Sequence, residues 1–207
     1  TVKKVAALTA VLRATHFKGR QYNVTYVIAG VGVKQGHPVA QNRVVMAERA
    51  RDIRQRRYGI PPAKIAMIPH GIPDLPFIDP SFYKDQFGVE GHRVILTFGL
   101  LSPNKGIEHM IDALPAVLHR HPDVVYMVLG ATHPHILRAY GEEYRMMLQR
   151  RAHERGVREN VIFQNRFVDL AELTEFLGAA DIYVTPYLNE TQIVSGTLAY
   201  ALGAGKA

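Results

Sequence analysis

The stretch "RVILTFGLLSPNKGIEHMIDALPAVLHRHPDVVYMVLG", residues 93–130, decides the fold of this chain. It opens with a short apolar run, 93–99, that ends in glycine and is typical of a buried strand. Apolar residues then recur at helical spacing over 106–121, and a second apolar run, 123–130, again ends in glycine. The stretch therefore predicts a strand, a loop, a helix and a second strand.

The same alternation continues towards the end of the chain. It predicts a helix over 141–156, a third strand over 160–167, a helix over 169–181 with Asp169 as its N-cap, and a fourth strand over 181–187. The strands are continuously apolar, which indicates a parallel sheet covered on both faces. We therefore expect an α/β fold with a Rossmann-like, doubly wound parallel sheet, in which ligands bind beyond the carboxyl ends of the strands.

The first half of the chain is less regular. It predicts a short strand at 44–46, a helix that ends near Arg57, and then a connector rich in proline and glycine. Residues 1–43 carry no chemical motif. Either a domain linker or a loop packed along an interface fits the connector.

Composition limits the class of protein. The chain has 207 residues, of which 47% are hydrophobic, and no apolar run approaches the roughly 18 residues of a membrane span. Its start lacks the pattern of a signal peptide, and it contains no cysteine, which excludes disulfides and thiolate metal sites. We therefore expect a cytoplasmic protein.

A formal net charge of +7 points to an anionic partner. The densest basic run is "RARDIRQRRYG", residues 49–59, which fits either a solvated helix face or peripheral contact with an anionic surface at the inner face of the membrane. Nucleic-acid binding is supported by net charge alone, because no aromatic residues interleave with the arginines as a stacking platform requires. We expect no nucleic acid as partner.

The closing run, "NETQIVSGTLAYALGAGKA" at 189–207, contains the start of a helix at Ser195, Gly196 and Thr197. Ser195 fits an ordinary N-cap on a packing helix. Free backbone N–H groups beside a hydroxyl also form an anion site at the carboxyl edge of such a sheet. The two interpretations are compatible.

Four motifs carry a resemblance to a known family. They are "MIPHGIPD" (67–74), "FGLLSPNKGIEHMIDALP" (98–115), "VLGATHPH" (128–135) and "ADIYVTPY" (180–187). In this order they resemble the carboxyl-terminal domain of the group 1, or family-four, retaining glycosyltransferases of the GT-B fold. The resemblance implies two Rossmann-like domains facing across a cleft, with a nucleotide-diphosphate sugar held by the second domain and a glycan or lipid-linked acceptor by the first. It implies no metal and no other cofactor.

The resemblance also implies a domain organisation. Residues 1–60 are expected to be a remnant of the acceptor-side domain, 61–90 the interdomain connector, and 91–207 an incomplete nucleotide-sugar-binding domain. We expect the fold to be truncated at both ends, because this family's second domain continues past "GAGK" and a full acceptor domain needs over about a hundred residues.

Lys105 is the first candidate site residue. It follows the first strand of this domain and precedes a helix, so its ammonium can reach a diphosphate, while Gly106 lets the backbone approach. A departing diphosphate gains charge that a positive group must neutralise. The alternative is an ordinary solvated lysine in the first turn of a helix, where a cation is mildly unfavourable.

The resemblance extends the candidate site to further residues. It implies catalytic roles for Lys105 and Glu190, and donor binding by a larger set: Gly99, Lys105, Gly106, His133, Gln192, Ser195, Gly196 and Thr197. The sequence departs from the family in having Leu100 where an arginine is usual, and Gln192 and Tyr200 where two glutamates are usual. These departures favour the alternative of a non-catalytic nucleotide-sugar-binding or scaffolding module, or an inactive fragment.

The histidines near the predicted strand ends are candidate metal ligands. His133 and His135 lie on the rim where ligands bind, but alternate residues without a nearby carboxylate make a poor metal site. Contact of His133 with donor or acceptor is the better interpretation, and no metal site is expected. His70, in the connector, fits a structural hydrogen bond or a place in the cleft lining.

Overall fold

The computed structural model describes residues 15–17, 20–22, 43–72, 79–189 and 192–206. The chain forms two compact units, Thr1–His70 and Gly71–Ala207. The boundary between them falls inside the predicted connector, 61–90. The division of the chain into 1–60, 61–90 and 91–207 stays a prediction.

The first unit contains two pairs of short strands. β1 (Thr15–Phe17) and β2 (Arg20–Tyr22) pair antiparallel. β3 (Arg43–Val45) and β4 (Ile65–Met67) pair parallel, and α1 (Glu48–Tyr58) lies between them in the chain. The predicted strand at 44–46 and the helix ending near Arg57 are confirmed, whereas residues 1–14, 18–19 and 23–42 lie outside the described residues.

The second unit contains a four-stranded sheet in which every pairing is parallel. Its strands are β5 (Arg93–Phe98), β6 (Val124–Leu129), β7 (Val161–Gln164) and β8 (Ile182–Tyr183), in the order β7-β6-β5-β8. Its helices are α2 (Ser81–Lys84), α3 (Ile107–Arg120), α4 (Pro134–Tyr140), α5 (Glu143–Glu154), α6 (Leu170–Ala179) and α7 (Gly196–Gly203). The expected Rossmann-like parallel sheet is confirmed.

The sheet is covered on both faces, which explains why its strands are continuously apolar. Ile95 and Tyr126 belong to a core on the face of α3 and α5. Leu96 and Met127, one residue further along each strand, belong to a core on the opposite face that includes Phe176 of α6. In β5 and β6, neighbouring strand residues therefore both lie in apolar surroundings.

Two local expectations were wrong. Residues 134–140 form α4, a helix that was not predicted, and the next helix begins at Glu143 rather than 141. The fourth strand ends at Tyr183 instead of 187. Val184 still donates its N–H to the Leu96 carbonyl at 2.9 Å, but Pro186 has no N–H with which to extend the ladder.

The amino end of β8 is fixed by a buried charge cluster. The Asp181 carboxylate accepts hydrogen bonds from the Val94 N–H at 2.6 Å and from the Lys84 ammonium at 2.8 Å. Lys84 also donates to the His92 carbonyl at 2.8 Å. Burial lowers the pKa of nearby Lys206, against the opposing effect of Asp181. Loss of the Asp181 charge would leave the buried Lys84 ammonium without the carboxylate that it pairs with.

Two features of the helices bear on partners. None of the residues of α1 is buried, and the helix carries five arginines within 49–57. In the described part of the chain, no helix combines the length and apolar character required to cross a membrane.

Candidate functional site

The candidate site lies at the carboxyl ends of β5 and β8, where the loops after these strands meet the start of α7. Gly99 follows β5 directly and has a φ of 129°, a conformation that favours glycine. Gly130, the residue after β6, leaves room for the Gly99 carbonyl, which fills the space where a side chain would lie. The backbone at this edge is therefore packed too closely for a side chain at Gly130.

Two of the predicted site residues, Lys105 and Thr197, lie next to Gly99. Measured from the position that a Cβ would occupy at Gly99, Thr197 Cγ2 lies at 3.3 Å and Lys105 Nζ at 3.8 Å. Lys105 and the start of α7 are separated by about ninety residues in the chain, but they face the same point of backbone. The structure therefore brings Lys105, Gly99 and Thr197 into one site.

The Lys105 side chain is held by an aromatic ring. Lys105 ends a single 3₁₀ turn, Pro103–Lys105, and its N–H donates to the Ser102 carbonyl at 2.9 Å. Its ammonium lies 3.9 Å from the centroid of the Tyr187 ring, a cation–π contact. None of the ion pairs between described residues includes Lys105. Its positive charge is therefore directed into the site rather than neutralised by a described carboxylate.

A row of three hydroxyl groups leads from Tyr187 to the start of α7. The Tyr187 hydroxyl and Thr197 Oγ1 are 2.9 Å apart, and Thr197 Oγ1 and Ser195 Oγ are 3.0 Å apart. Ser195 Oγ accepts a hydrogen bond from the Leu198 N–H at 3.2 Å, so the expected N-cap is confirmed. We call Tyr187, Thr197 and Ser195 the hydroxyl row.

The electrostatics of the site are those of an anion-binding site. Burial raises the pKa of Tyr187, but hydrogen bonding to the Lys105 ammonium and to Thr197 outweighs it, so the pKa of Tyr187 is lowered overall. Burial, and then the charge of Tyr187, raise the pKa of Tyr183. The lowered pKa of Tyr187 thus reflects the positive charge of Lys105 beside it.

Tyr183 is the last residue of β8 and belongs to the core that includes Phe176. It is 6% exposed, and its ring packs against Phe98 with centroids 5.3 Å apart. Its buried hydroxyl makes no hydrogen bond to any of the described residues. Thr97 and Tyr126 differ, because Tyr126 donates to Thr97 at 2.9 Å and Thr97 donates to the Val184 carbonyl at 2.8 Å.

The other predicted site residues are placed differently. Gly106 is buried, and the space where its side chain would lie is filled by the Pro186 carbonyl, so loop packing already requires a glycine there. His133 is the N-cap of α4, and its Nδ1 accepts the His135 N–H at 3.2 Å. Gln192 is exposed and donates to the Val194 carbonyl at 3.1 Å. Glu190 lies outside the described residues, and donor binding by these residues stays a prediction.

Sequence reasoning missed Tyr187 and Tyr183 as site residues. Both sit at the end of an apolar run, where an aromatic residue is usually part of the core. The signal that could have found Tyr187 is its place at the carboxyl end of the fourth strand, on the same edge as Gly99.

The arrangement can bind a polyanion without a metal ligand set. It supplies one ammonium, a row of hydroxyls and the N–H groups at the start of α7. Over the described ranges, no group of three or more histidine or acidic side chains is placed to hold a metal ion. A phosphate or diphosphate has the charge and the acceptor oxygens that fit such a site.

Comparison with known proteins gives the family. Residues 81–192 match the sequence model of the glycosyl transferases of group 1. A GDP-mannose-dependent alpha-(1-6)-phosphatidylinositol monomannoside mannosyltransferase of Mycolicibacterium smegmatis is 29% identical over 61% of this chain and 31% of its own length. The mannosylfructose-phosphate synthase of Agrobacterium fabrum is 27% identical over 64% of this chain and 30% of its own. The chain thus spans less than a third of these relatives.

Solved structures agree on the fold. WaaG, a glycosyltransferase involved in lipopolysaccharide biosynthesis, matches with a TM-score of 0.63 and 22% identity over 84% of this chain and 44% of its own. Anabaena HepE, solved in complex with UDP and glucose, matches with a TM-score of 0.61 and 21% identity over 81% of this chain and 43% of its own. These likenesses agree with the parallel α/β sheet of the second unit, so the expected fold is confirmed.

Proposed function

Since the chain belongs to the group 1 glycosyltransferases, we propose that it is the donor-binding part of a retaining glycosyltransferase. It would move a sugar from a nucleotide diphosphate to an acceptor hydroxyl. The observation that carries the proposal is the meeting of Lys105 and Thr197 over Gly99, at 3.8 Å and 3.3 Å from one point of backbone. That HepE was solved with UDP supports a nucleotide diphosphate as the ligand.

The chemistry follows from where negative charge develops. The bond between the anomeric carbon and a phosphate oxygen breaks, and the electron pair leaves with the diphosphate. Lys105 and the N–H groups at the start of α7 would neutralise that charge. The acceptor oxygen would bond to the anomeric carbon on the face from which the diphosphate leaves, and the acceptor proton would pass to the leaving phosphate oxygen. No enzymic nucleophile and no metal or other cofactor is needed for this sequence of bonds.

Glu190 and the remaining predicted donor contacts belong to the same proposal. Glu190 would contact the sugar, and Gln192 would supply a weaker polar contact than a glutamate. The amide of Gln192 already bonds to the Val194 carbonyl at 3.1 Å, so it would have to exchange that bond for one to a sugar hydroxyl.

The proposals for the acceptor and for the cellular location of the protein rest on the positive charge of α1. A glycan or lipid-linked acceptor would be held by the first unit, whose helix α1 has no buried residue and carries several arginines. We propose a cytoplasmic protein that contacts the anionic inner face of the membrane through α1. Binding of the chain to vesicles containing anionic lipid, and its loss in high salt, would support this contact.

Calorimetric titration of the 207-residue chain with UDP and with GDP tests the donor assignment. We expect wild type to bind one of them and Lys105→Ala to bind it roughly tenfold or more weakly, because a charge-assisted contact is lost. Lys64→Ala, an exposed lysine of the first unit, is the matched control and should leave the affinity unchanged. If wild type binds neither nucleotide, the donor assignment is wrong.

A second candidate is a nucleotide-sugar-binding module without catalytic activity. Leu100, next to Gly99 at the site, is apolar where this family usually has a cation, and this favours the module. Incubation with UDP-glucose and GDP-mannose, followed by measurement of free UDP and GDP, separates the two candidates. Release of nucleotide supports an enzyme, and binding without release supports the module.

A further inference from the structure

The Tyr187 ring contacts the Lys105 ammonium without cancelling its charge. The ammonium nitrogen lies 3.9 Å from the centroid of the ring, whose negative face attracts a cation. A carboxylate at the same distance would also hold the ammonium, but its negative charge would repel an anionic ligand. The ring of a protonated tyrosine carries no net charge, so the ammonium it holds keeps its attraction for a phosphate.

Tyr187 is fixed both to α7 and to the turn that carries Lys105. Its hydroxyl lies 2.9 Å from Thr197 Oγ1, in the first turn of α7. The residue after it, Leu188, donates its N–H to the carbonyl of Asn104, the residue before Lys105, at 3.0 Å. The ring therefore has a defined position relative to the two segments that form the candidate site.

A lysine gains more than most residues from such a contact. Its ammonium stands on a flexible four-carbon chain, and binding a ligand restricts the rotation of that chain, which weakens binding. In this structure Lys105 Nζ already lies 3.8 Å from the Cβ position of Gly99, next to the methyl group of Thr197. A positive group that is in place before the ligand arrives stabilises developing negative charge more effectively.

We propose that Tyr187 is a positioning residue, whose ring holds the Lys105 ammonium beside Gly99 and the start of α7, where it meets the phosphate groups of the donor. This inference rests on the proposed function and adds to it a residue that acts on the ligand through Lys105. The contribution of the Tyr187 ring to binding should therefore disappear when Lys105 is replaced.

The test is a double-mutant cycle of Tyr187→Leu and Lys105→Ala, measured by calorimetric titration with UDP, GDP and inorganic pyrophosphate. We expect Tyr187→Leu to bind each anion that wild type binds roughly threefold to tenfold more weakly, the effect of releasing one flexible side chain. In the Lys105→Ala background the same change should weaken binding by less than about twofold. A tyrosine that only stabilised its loop would weaken binding equally in both backgrounds.

Tyr187→Phe is the conservative variant. It keeps the ring against Lys105 and removes only the hydroxyl, so its affinity should stay within about twofold of wild type. Phe82→Leu is the matched control for loss of an aromatic ring, because Phe82 is 69% exposed on α2, whose Lys84 bonds to Asp181 at the amino end of β8. This control should leave the affinity unchanged.

Urea unfolding of each variant checks that it folds. If Tyr187→Leu shows no cooperative transition, Tyr187→Met takes its place in the cycle, because a flexible methionine fills irregular gaps without an aromatic face.

The outcomes separate this inference from the proposed function. If wild type binds UDP or GDP and Tyr187→Leu binds with the same affinity, or loses as much affinity without Lys105 as with it, the positioning role is overturned and the donor site stands. Equal losses for Tyr187→Phe and Tyr187→Leu would also overturn it, because the hydroxyl rather than the ring would then be responsible. If wild type binds none of the three anions, the proposed function fails and this inference fails with it. A loss that depends on Lys105 and is rescued by phenylalanine supports the inference.

Discussion

The carbonyl oxygen of Pro186 occupies the space in which a side chain at Gly106 would lie. The two segments are also joined by the Leu188 N–H, which donates to the Asn104 carbonyl at 3.0 Å. Backbone contacts thus hold the loop that carries Tyr187 against the turn that ends in Lys105. The position of the Lys105 ammonium over the Tyr187 ring depends on this packing.

Gly106→Ala should therefore destabilise the chain through two effects. At the φ of 62° found for Gly106, a residue with a side chain lowers the free energy of unfolding by about 1 kcal/mol. Displacement of the Pro186 carbonyl lowers it by about a further 1–3 kcal/mol. Gly156→Ala is the matched control, because its φ is 69° but nothing lies within 4 Å of its Cβ position. Urea unfolding of both variants measures the difference. Equal losses would show that the Pro186 contact is unimportant.

Ser195→Ala should lower both stability and affinity for the nucleotide. Ser195 caps α7 as Asp169 caps α6, where the Asp169 carboxylate accepts the Glu172 N–H at 2.9 Å. Replacement of either capping residue by alanine should lower the free energy of unfolding by about 1 kcal/mol. Titration with UDP and GDP should show roughly threefold to tenfold weaker binding for Ser195→Ala only. An Asp169→Ala variant that loses as much affinity would mean that helix stability, not the site, governs binding.

Asp181→Ala should cost much more stability than loss of an exposed aspartate. The Lys84 side chain is only 10% exposed, and removal of its counterion leaves a buried charge, at a cost of about 3 kcal/mol or more. Asp123→Ala is the control, since its partner Arg93 is 54% exposed and such pairs contribute under about 1 kcal/mol. The measurement is the free energy of unfolding in urea at neutral pH. Similar losses for the two variants would contradict a buried role for Lys84.

Asp112 should make stability depend on acid pH. The hydrogen bond from the Arg151 guanidinium lowers the pKa of Asp112 to about 2, with burial acting in the opposite direction and Arg155 adding to the lowering. The pKa is lowered on folding from 3.8, so the stabilisation is fully present above that value and is lost as the pH falls towards about 2. Because Arg151 and Arg155 are 36% and 49% exposed, we expect about 1 kcal/mol.

Comparison of wild type with Asp112→Asn by urea unfolding at several pH values measures this contribution. The gap between the two should be widest at neutral pH and should close as acid protonates the wild-type carboxylate. Arg151→Gln in both backgrounds completes a double-mutant cycle that isolates the pair. A gap that is independent of pH would mean that the Asp112 charge does not contribute.

The fold of the second unit follows from its sequence because its two central strands, β5 and β6, are buried on both faces and so form long apolar runs. The helix α4 escaped prediction because none of its residues is buried, so no apolar period marks it. Its signal is Pro134 at the first helical position after His133. The early end of β8 depends on where the loop turns onto Gly106, a tertiary contact that residue patterns do not encode.

The candidate site could be predicted only in part. Lys105 and Ser195 follow from the rule that loops at the carboxyl edge of a parallel sheet meet there. Tyr183 and Tyr187 do not follow from this rule. A tyrosine in an apolar run gives the same sequence pattern whether or not its hydroxyl is hydrogen-bonded. The Tyr187 hydroxyl lies 2.9 Å from Thr197 Oγ1, a tertiary contact that a residue pattern does not reveal.

The brevity of β8 has a dynamic consequence. Only two of its residue pairs, Ile95 with Ile182 and Leu96 with Tyr183, align with β5, whereas β5 and β6 align over six. If β8 separates transiently from β5, Tyr187 and the start of α7 would move away from Lys105 while β5, β6 and β7 remain folded. Amide hydrogen exchange should therefore be faster at 182–184 than at 124–129, and a bound nucleotide should slow it selectively there. The anion would then hold together two segments whose amide hydrogens exchange with solvent at different rates.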